Sequence, residues 1–155
     1  IGAPVLVFMT YETQLQINLL LQSLATFAMF GVIWLVQLVN YPLQIYVPAE
    51  NFVDYQIGHM RRITQVVGPL MLLEAIASVW LLVIPLSGIE SVLAWVGFAL
   101  VLILWASTAV IQVPLHRRLE VGRDERAIRG LIASNWIRTL GWTARAATVG
   151  WLLLL

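Results

Sequence analysis

The two histidines of the chain, His59 and His116, are the side chains best suited to proton transfer. Imidazole takes up and releases a proton near neutral pH, and it is also a common metal ligand. Each histidine stands beside arginines in the sequence. Two interpretations follow: solvated histidines at a polar boundary, or a pair at the mouth of a pocket that acts as acid and base or binds a metal.

Further polar and aromatic side chains recur at steps of three and four residues, which places them on one face of a helix. Because polar groups are costly in apolar surroundings, these faces should turn toward one another and form a pocket. Four residues should lie about one helical turn, on the order of 5 Å, inside the cytoplasmic boundary: Gln37, Gln65, Gln112 and Arg138. Tyr41 and Asn135 should lie at the mouth of the pocket with the histidines. Three faces follow this spacing: Phe30, Trp34, Gln37 and Tyr41; Trp105, Thr108, Gln112 and His116; and Asn135, Arg138, Trp142 and Arg145. The second span is less regular, with His59, Arg62 and Gln65 near its start and Glu74 deep within.

Two opposite charges, Glu74 and Arg145, lie deep within apolar stretches. At 1.5 Å per residue, Glu74 is about 18 Å along its helix from Arg62, and Arg145 is about 15 Å from Asn135. The two charges therefore reach a similar depth, where a lone charge would be costly. We predict that they form a structural ion pair that fixes helix register; the alternative is a carboxylate that handles protons or anchors a substrate.

The absence of cysteine excludes disulfides, thiolate metal sites and thiol catalysis. Glu74 lies too far along its helix from His59 to share a metal with it. We therefore predict no metal-ligand set. The sequence requires no cofactor, and a bound metal or a bound quinone stays an open alternative. The net charge of +1 gives no reason to expect a nucleic-acid partner.

The elements that position these residues are apolar helices. Hydrophobic residues make up 61% of the 155-residue chain and charged residues 11%, which predicts lipid as the natural solvent for its surface. About 20 mostly apolar residues cross a bilayer. We predict a single all-α domain over residues 1–155, an integral membrane up-down four-helix bundle. Its spans are residues 15–41, 63–86, 89–115 and 131–155.

All nine basic residues are arginines, and seven lie in or beside two of the three connections. The predicted connections are Pro42–Gly58, followed by Arg61 and Arg62, and His116–Gly130 with five arginines, whereas the turn Pro85–Gly88 has none. Loops rich in arginine stay in the cytoplasm. The prediction is a bacterial cytoplasmic membrane protein with its arginine-rich loops inside and both termini outside.

The end of the third span and the start of the fourth resemble a known family. Residues 112–119 read Gln-Val-Pro-Leu-His-Arg-Arg-Leu, and residues 135–139 read Asn-Trp-Ile-Arg-Thr. They resemble the N-x-P-L-N and W-N-x-x-R-T motifs of the anthrone-oxygenase-like family of small four-helix membrane proteins. Gln112 and His116 stand where that family has Asn, and Trp136 follows Asn135 rather than preceding it. Tyr41-Pro42 also fits.

The resemblance implies oxidation of a hydrophobic aromatic substrate, possible without metal or flavin. It would make His116 or His59 the base, with the developing oxyanion held by polar groups. The implied catalytic residues are His116, His59, Arg138 and Asn135. The implied substrate-binding residues are Gln37, Tyr41, Gln112, Trp34, Trp105 and Trp142, although such tryptophans are more often part of the core.

A second class of function is not enzymatic. The chain would then be an accessory subunit of a larger respiratory or photosynthetic membrane complex, or a binder of lipid or quinone. Its partners on either interpretation include membrane lipids and a small hydrophobic molecule, and other membrane subunits or further copies of itself are also open.

Overall fold

Four long helices make up the protein in the computed structural model, which describes residues 9–155. They are α1 (Tyr11–Tyr46), α2 (Ala49–Val83), α3 (Gly88–Leu119) and α4 (Glu125–Leu152). No strand occurs among residues 9–155. The predicted all-α class is confirmed for these residues, and residues 1–8 of the predicted single domain lie outside them.

Three of the four helices, α1, α2 and α3, are long and apolar enough to cross a membrane. The fourth helix, α4, is not among them in the described part of the chain; it is less apolar and contains four arginines. Of the four predicted spans, three therefore correspond to helices with the length and composition of a membrane span. The arginines of α4 are Arg126, Arg129, Arg138 and Arg145.

The two arginine-rich connections are much shorter than predicted, whereas the turn predicted at Pro85–Gly88 is matched by a four-residue connection between α2 and α3. The segment 42–58, expected as a polar connection, is almost wholly helical, and only Val47 and Pro48 separate α1 from α2. In this segment Glu50 and Asp54 are exposed, whereas Phe52 and Gln56 of the same helix are fully buried. Pro48 is the N-cap residue of α2, and Glu50 lies in its first turn. A negative charge there interacts favourably with the helix dipole.

The connection between α3 and α4 is also short, from Glu120 to Asp124. It was expected to run from His116 to Gly130, but α3 continues to Leu119 and α4 already begins at Glu125. The Asp124 carboxylate accepts hydrogen bonds from the backbone N–H groups of Arg126 and Ala127. This cap satisfies donors that the first turn leaves free.

Two π-helical turns interrupt α1 and α3, at Val36–Asn40 and Thr108–Gln112. Each precedes a proline, Pro42 or Pro114. The residue before each proline donates its backbone N–H five residues back: Tyr41 to Val36, and Val113 to Thr108. Proline supplies no N–H and crowds the preceding turn, so the helix widens there. Such turns are rare and often lie at functional sites.

The helices pack in a ring, in which α1 contacts α2 and α4, and α3 contacts the same two neighbours. One buried cluster lies toward the arginine-rich end and includes Met29, Ile33, Phe52, Leu131 and Trp142. A second cluster surrounds the connection between α2 and α3 and consists of Leu81, Ile84, Leu93, Ala94 and Leu152.

Candidate functional site

A cavity of about 260 Å³ lies among α1, α2 and α3, with Arg138 of α4 in its wall. Its remaining lining is mostly aliphatic. The structure brings six of the predicted site residues to this cavity, one or more from each helix. They are Tyr41, His59, Trp105, Gln112, His116 and Arg138.

His116 is held at both ring nitrogens. Its Nε2 lies 2.9 Å from the Tyr41 hydroxyl oxygen, and its Nδ1 lies 2.9 Å from the Gln56 side-chain nitrogen. With the Gln56 amide donating to Nδ1, the Nε2 nitrogen carries the imidazole proton and donates to Tyr41. The imidazole therefore has no free nitrogen for a ligand, and the Tyr41 hydroxyl is the atom of this pair that can offer a proton to the cavity.

Gln56 was not among the predicted site residues, because it fell in the expected connection. It is fully buried, and its Oε1 has no hydrogen-bond partner among the described residues. A signal was present in the sequence: Phe52, Gln56, His59 and Ile63 follow one another at helical steps. The apolar pattern of α2 thus extends well before residue 63.

Arg138 is a buried cation without a counter-ion in the part of the chain that the structure describes. Only 6% of the residue is exposed. Its Nη1 donates to Asn135 Oδ1 at 3.3 Å, its Nε has no partner, and its guanidinium lies 5.2 Å from the Trp142 ring centroid. Because burying an unpaired charge is costly, this guanidinium is strongly disposed to accept an anionic or oxygen-bearing ligand.

Gln37 and Asn135 lie behind Arg138 and not on the cavity wall. Gln37 Oε1 accepts hydrogen bonds from Asn135 Nδ2 at 3.0 Å and from Thr139 Oγ1 at 3.3 Å, and Gln37 Nε2 donates to the Ile132 carbonyl at 3.1 Å. These bonds occupy both amides. Gln37 was expected to bind substrate and Asn135 to act in catalysis; in the structure both hold Arg138 and the α1–α4 contact in place.

Gln112 does line the cavity. Its Nε2 donates to Ser134 Oγ at 3.0 Å, while its Oε1 is buried without a partner. The side chain therefore retains one unused acceptor. Together with the Tyr41 hydroxyl, it can bind a ligand group that carries a proton.

Two of the three predicted substrate-binding tryptophans are absent from the cavity wall. Trp34 packs edge-on against Phe30 and Trp136 and donates to Thr143. Trp142 is fully buried and donates its indole N–H to Glu74. Their N–H groups need buried partners, and these partners lie between helices. Trp105 does line the cavity, and 42% of it is exposed.

His59 also lines the cavity. Its ring stacks on that of Tyr55, with centroids 6.0 Å apart, and its centroid lies 6.4 Å from that of His116. Among the described residues, no group of three or more histidine, aspartate and glutamate side chains is arranged to hold a metal ion.

Glu74 and Arg145 come together in the buried centre of the bundle, with Arg145 Nε 3.4 Å from Glu74 Oε1. Thr26 donates to the same carboxylate at 2.7 Å, and Trp142 donates to its other oxygen at 3.0 Å. Arg145 donates to Gln22 and Ser78. The carboxylate has partners at both oxygens, which favours the structural role over proton handling.

The residues that α1 contributes to this network were not predicted from the sequence. Asn18, Gln22 and Thr26 are fully buried and lie on one face, four residues apart. Asn18 donates to the Ala77 carbonyl at 2.9 Å and accepts from Gln22 at 2.8 Å. Their spacing was a usable signal. Gln65 of the predicted polar face of α2 is instead exposed.

Comparisons with protein-family profiles, with curated proteins and with solved structures find no match. The resemblance to the anthrone-oxygenase-like family therefore stays a prediction that depends on the short motifs around Gln112 and Arg138.

Proposed function

We propose that this protein is an integral membrane protein whose cavity binds a small, flat, lipid-soluble molecule through an anionic or strongly accepting oxygen. An ionised phenol or a quinone has this chemistry. The observation that carries the proposal is the Arg138 guanidinium, which borders an apolar cavity without a carboxylate partner among the described residues. An oxygen anion of the ligand would supply the missing counter-charge.

The membrane part of the proposal depends on the outward faces of the helices. Helices α1 to α3 are apolar over spanning lengths, and their exposed side chains include Leu24, Leu72 and Leu102. On α4, Arg138 and Arg145 are buried, whereas the exposed positions include Trp136, Leu140 and Trp151. Both arginines thus point away from lipid, so α4 can cross with the others in an up-down bundle. The arginine-rich ends would face the cytoplasm of a bacterial cell.

The size of the cavity supports a compact ligand. Its volume of about 260 Å³ is near the lower end of small-molecule sites, which run from about 300 to 1,000 Å³. A molecule with two or three fused rings fits this space, and a long-tailed lipid does not. The aliphatic lining, which includes Val67 and Met71, suits the ring faces.

The chemistry that the cavity can supply is proton transfer beside a cation. The Tyr41 hydroxyl exchanges a proton with the ligand oxygen, His116 orients that hydroxyl, and Arg138 stabilises the resulting oxyanion. This changes the predicted role of His116 from a base that contacts substrate to a positioning residue. The oxidation that the resemblance implies would need dioxygen as the oxidant.

Purification in mild detergent, followed by mass spectrometry of the extracted small molecules, tests the proposal. We expect an aromatic or quinone-like compound with the wild type and little of it with Arg138→Gln. The matched control is Arg129→Gln, because the Arg129 side chain is 70% exposed. Equal recovery from both variants, or a phospholipid as the bound compound, would contradict the proposal. Stoichiometric recovery of larger membrane subunits would favour the accessory-subunit function.

A further inference from the structure

The walls of the cavity differ in exposure. The lining residues from α1 and α4 are largely enclosed; Ile33, Tyr41 and Arg138, for example, are all buried. Among the described residues that line it, the exposed ones are Thr64 on α2 and Trp105 on α3. The cavity is therefore open on the side where α2 and α3 face each other.

A local gap between α2 and α3 explains this opening. The two helices are held together near their connection by the buried cluster that includes Leu81 and Leu93. Beside the cavity, α2 has Gly68, and a Cβ atom added there would meet only Thr64 of its own helix, at 3.9 Å. No atom of α3 comes within 4 Å of that position, so the space beside Gly68 is open.

The surroundings of the opening are apolar. Leu72 on α2 and Leu102 and Ile103 on α3 are each more than half exposed. Trp105 lies about 18 Å along α3 from Arg117, at 1.5 Å per residue. On α2, Thr64 lies about 3 Å along the helix from the exposed Arg62. In the proposed orientation the opening therefore extends from the arginine-rich boundary into the acyl-chain region.

A polar groove of about 420 Å³ lies on the other side of His59 and Ile63, and both residues line the groove as well as the cavity. Asp54 and Arg62 give this groove a charged character. The His59 ring, which is stacked on Tyr55, stands between the groove and the cavity. A ligand that came through the groove would have to pass His59.

We propose that the ligand enters the cavity sideways from the bilayer, through a portal between α2 and α3 framed by Thr64, Gly68 and Trp105. This inference rests on the proposed function and narrows its substrate class to molecules that dissolve in the membrane. A ligand that keeps its charge in the bilayer would have to pass His59 instead, whereas a phenol or a hydroxyquinone such as lawsone passes the portal as its neutral acid and loses its proton beside Arg138.

Single cysteines test the portal directly, because the chain has no cysteine of its own. The Thr64→Cys variant in lipid nanodiscs is treated with pyrene maleimide, which partitions into lipid, or with a charged trimethylammonium thiosulfonate. Ala109→Cys is the matched control, since Ala109 is exposed beside Thr108 but does not line the cavity. We expect both variants to react with pyrene maleimide. Lawsone, an acidic hydroxynaphthoquinone, should slow only the Thr64→Cys reaction.

A bulky side chain in the portal provides an independent measurement. Thr64→Trp should slow lawsone association by about tenfold or more, because entry would then require the helices to separate, while Ala109→Trp should leave the rate unchanged. Two results would overturn the portal. One is that Thr64→Cys reacts only with the charged reagent. The other is that lawsone association is unchanged in Thr64→Trp and slowed in Asp54→Trp. Failure of wild-type protein to bind lawsone would instead count against the proposed function, and Thr64→Cys labelling would still report the portal.

Discussion

The Tyr41 hydroxyl oxygen lies 2.9 Å from Nε2 of His116, and the two rings meet edge to face with centroids 5.6 Å apart. Tyr41 directly follows the π-helical turn of α1, and His116 lies four residues after the π-helical turn of α3. Gln56 of α2 occupies the other imidazole nitrogen. Three helices therefore orient one phenolic hydroxyl at the cavity.

Replacing Tyr41 by phenylalanine should weaken lawsone binding without emptying the cavity. A lost hydrogen bond costs about 0.5–1.5 kcal/mol, so we expect the dissociation constant to rise about 2- to 13-fold. Tyr46→Phe is the control, because Tyr46 is 78% exposed. Titration in nanodiscs measures the effect, and equal affinities in the two variants would remove Tyr41 from the site.

The Glu74–Arg145 pair should matter more to stability than to binding. Glu74→Leu or Arg145→Met alone leaves one buried charge without its partner, which costs about 3–5 kcal/mol. The double variant should lose much less than the sum of the two. Unfolding in mixed micelles of increasing dodecyl sulfate content gives the four free energies of the cycle. Additive losses would mean that the two charges do not interact.

Gly97 makes room for the Arg145 guanidinium. A Cβ atom at Gly97 would lie 2.5 Å from Arg145 Nη1, whereas one at Gly31 would meet nothing within 4 Å. Gly97→Ala should therefore destabilise the bundle. Gly31→Ala should stabilise it by about 0.5–1 kcal/mol through the lower backbone entropy of alanine. The same micelle unfolding assay compares them, and a shift of equal sign in both would contradict the packing described.

Membrane orientation can be measured from the two ends of the bundle. Ser87→Cys lies in the connection between α2 and α3, and Val121→Cys lies between α3 and α4, where Val121 is 85% exposed. In bacterial spheroplasts, a membrane-impermeant maleimide should label Ser87→Cys and spare Val121→Cys until the membrane is permeabilised. The reverse pattern would invert the proposed topology, and immediate labelling of both would argue against spanning.

The all-helical class and the cavity-lining role of six residues could be predicted from the sequence, because apolar runs and helical spacing are local signals. Arg138 and His116 were assigned to a common pocket by their register alone. The start of α2 was predicted too late, because Glu50 and Asp54 look like loop residues, although the helical steps from Phe52 to Ile63 were a usable signal.

The sequence could not show which residues of a polar face line the cavity. This depends on how far each helix is rotated about its own axis, and a fraction of a turn decides it. The π-helical turns before Pro42 and Pro114 change those rotations, and the sequence marks them only by the prolines. Gln37 and Trp142 share faces with cavity residues, yet each bonds to a neighbouring helix instead. Whether such a residue lines the cavity or bonds to a neighbouring helix depends on how the four helices pack.

The charge preference of the cavity is the most direct test of the account. Lawsone is an anion at neutral pH, and its methyl ether has almost the same shape without the charge. We expect wild-type protein in nanodiscs to bind lawsone at least about tenfold more tightly than the ether, since a charge-assisted hydrogen bond contributes about 1.5–3 kcal/mol. In Arg138→Gln this preference should disappear, with little change for the ether. Equal preference in both proteins would show that Arg138 does not receive the ligand.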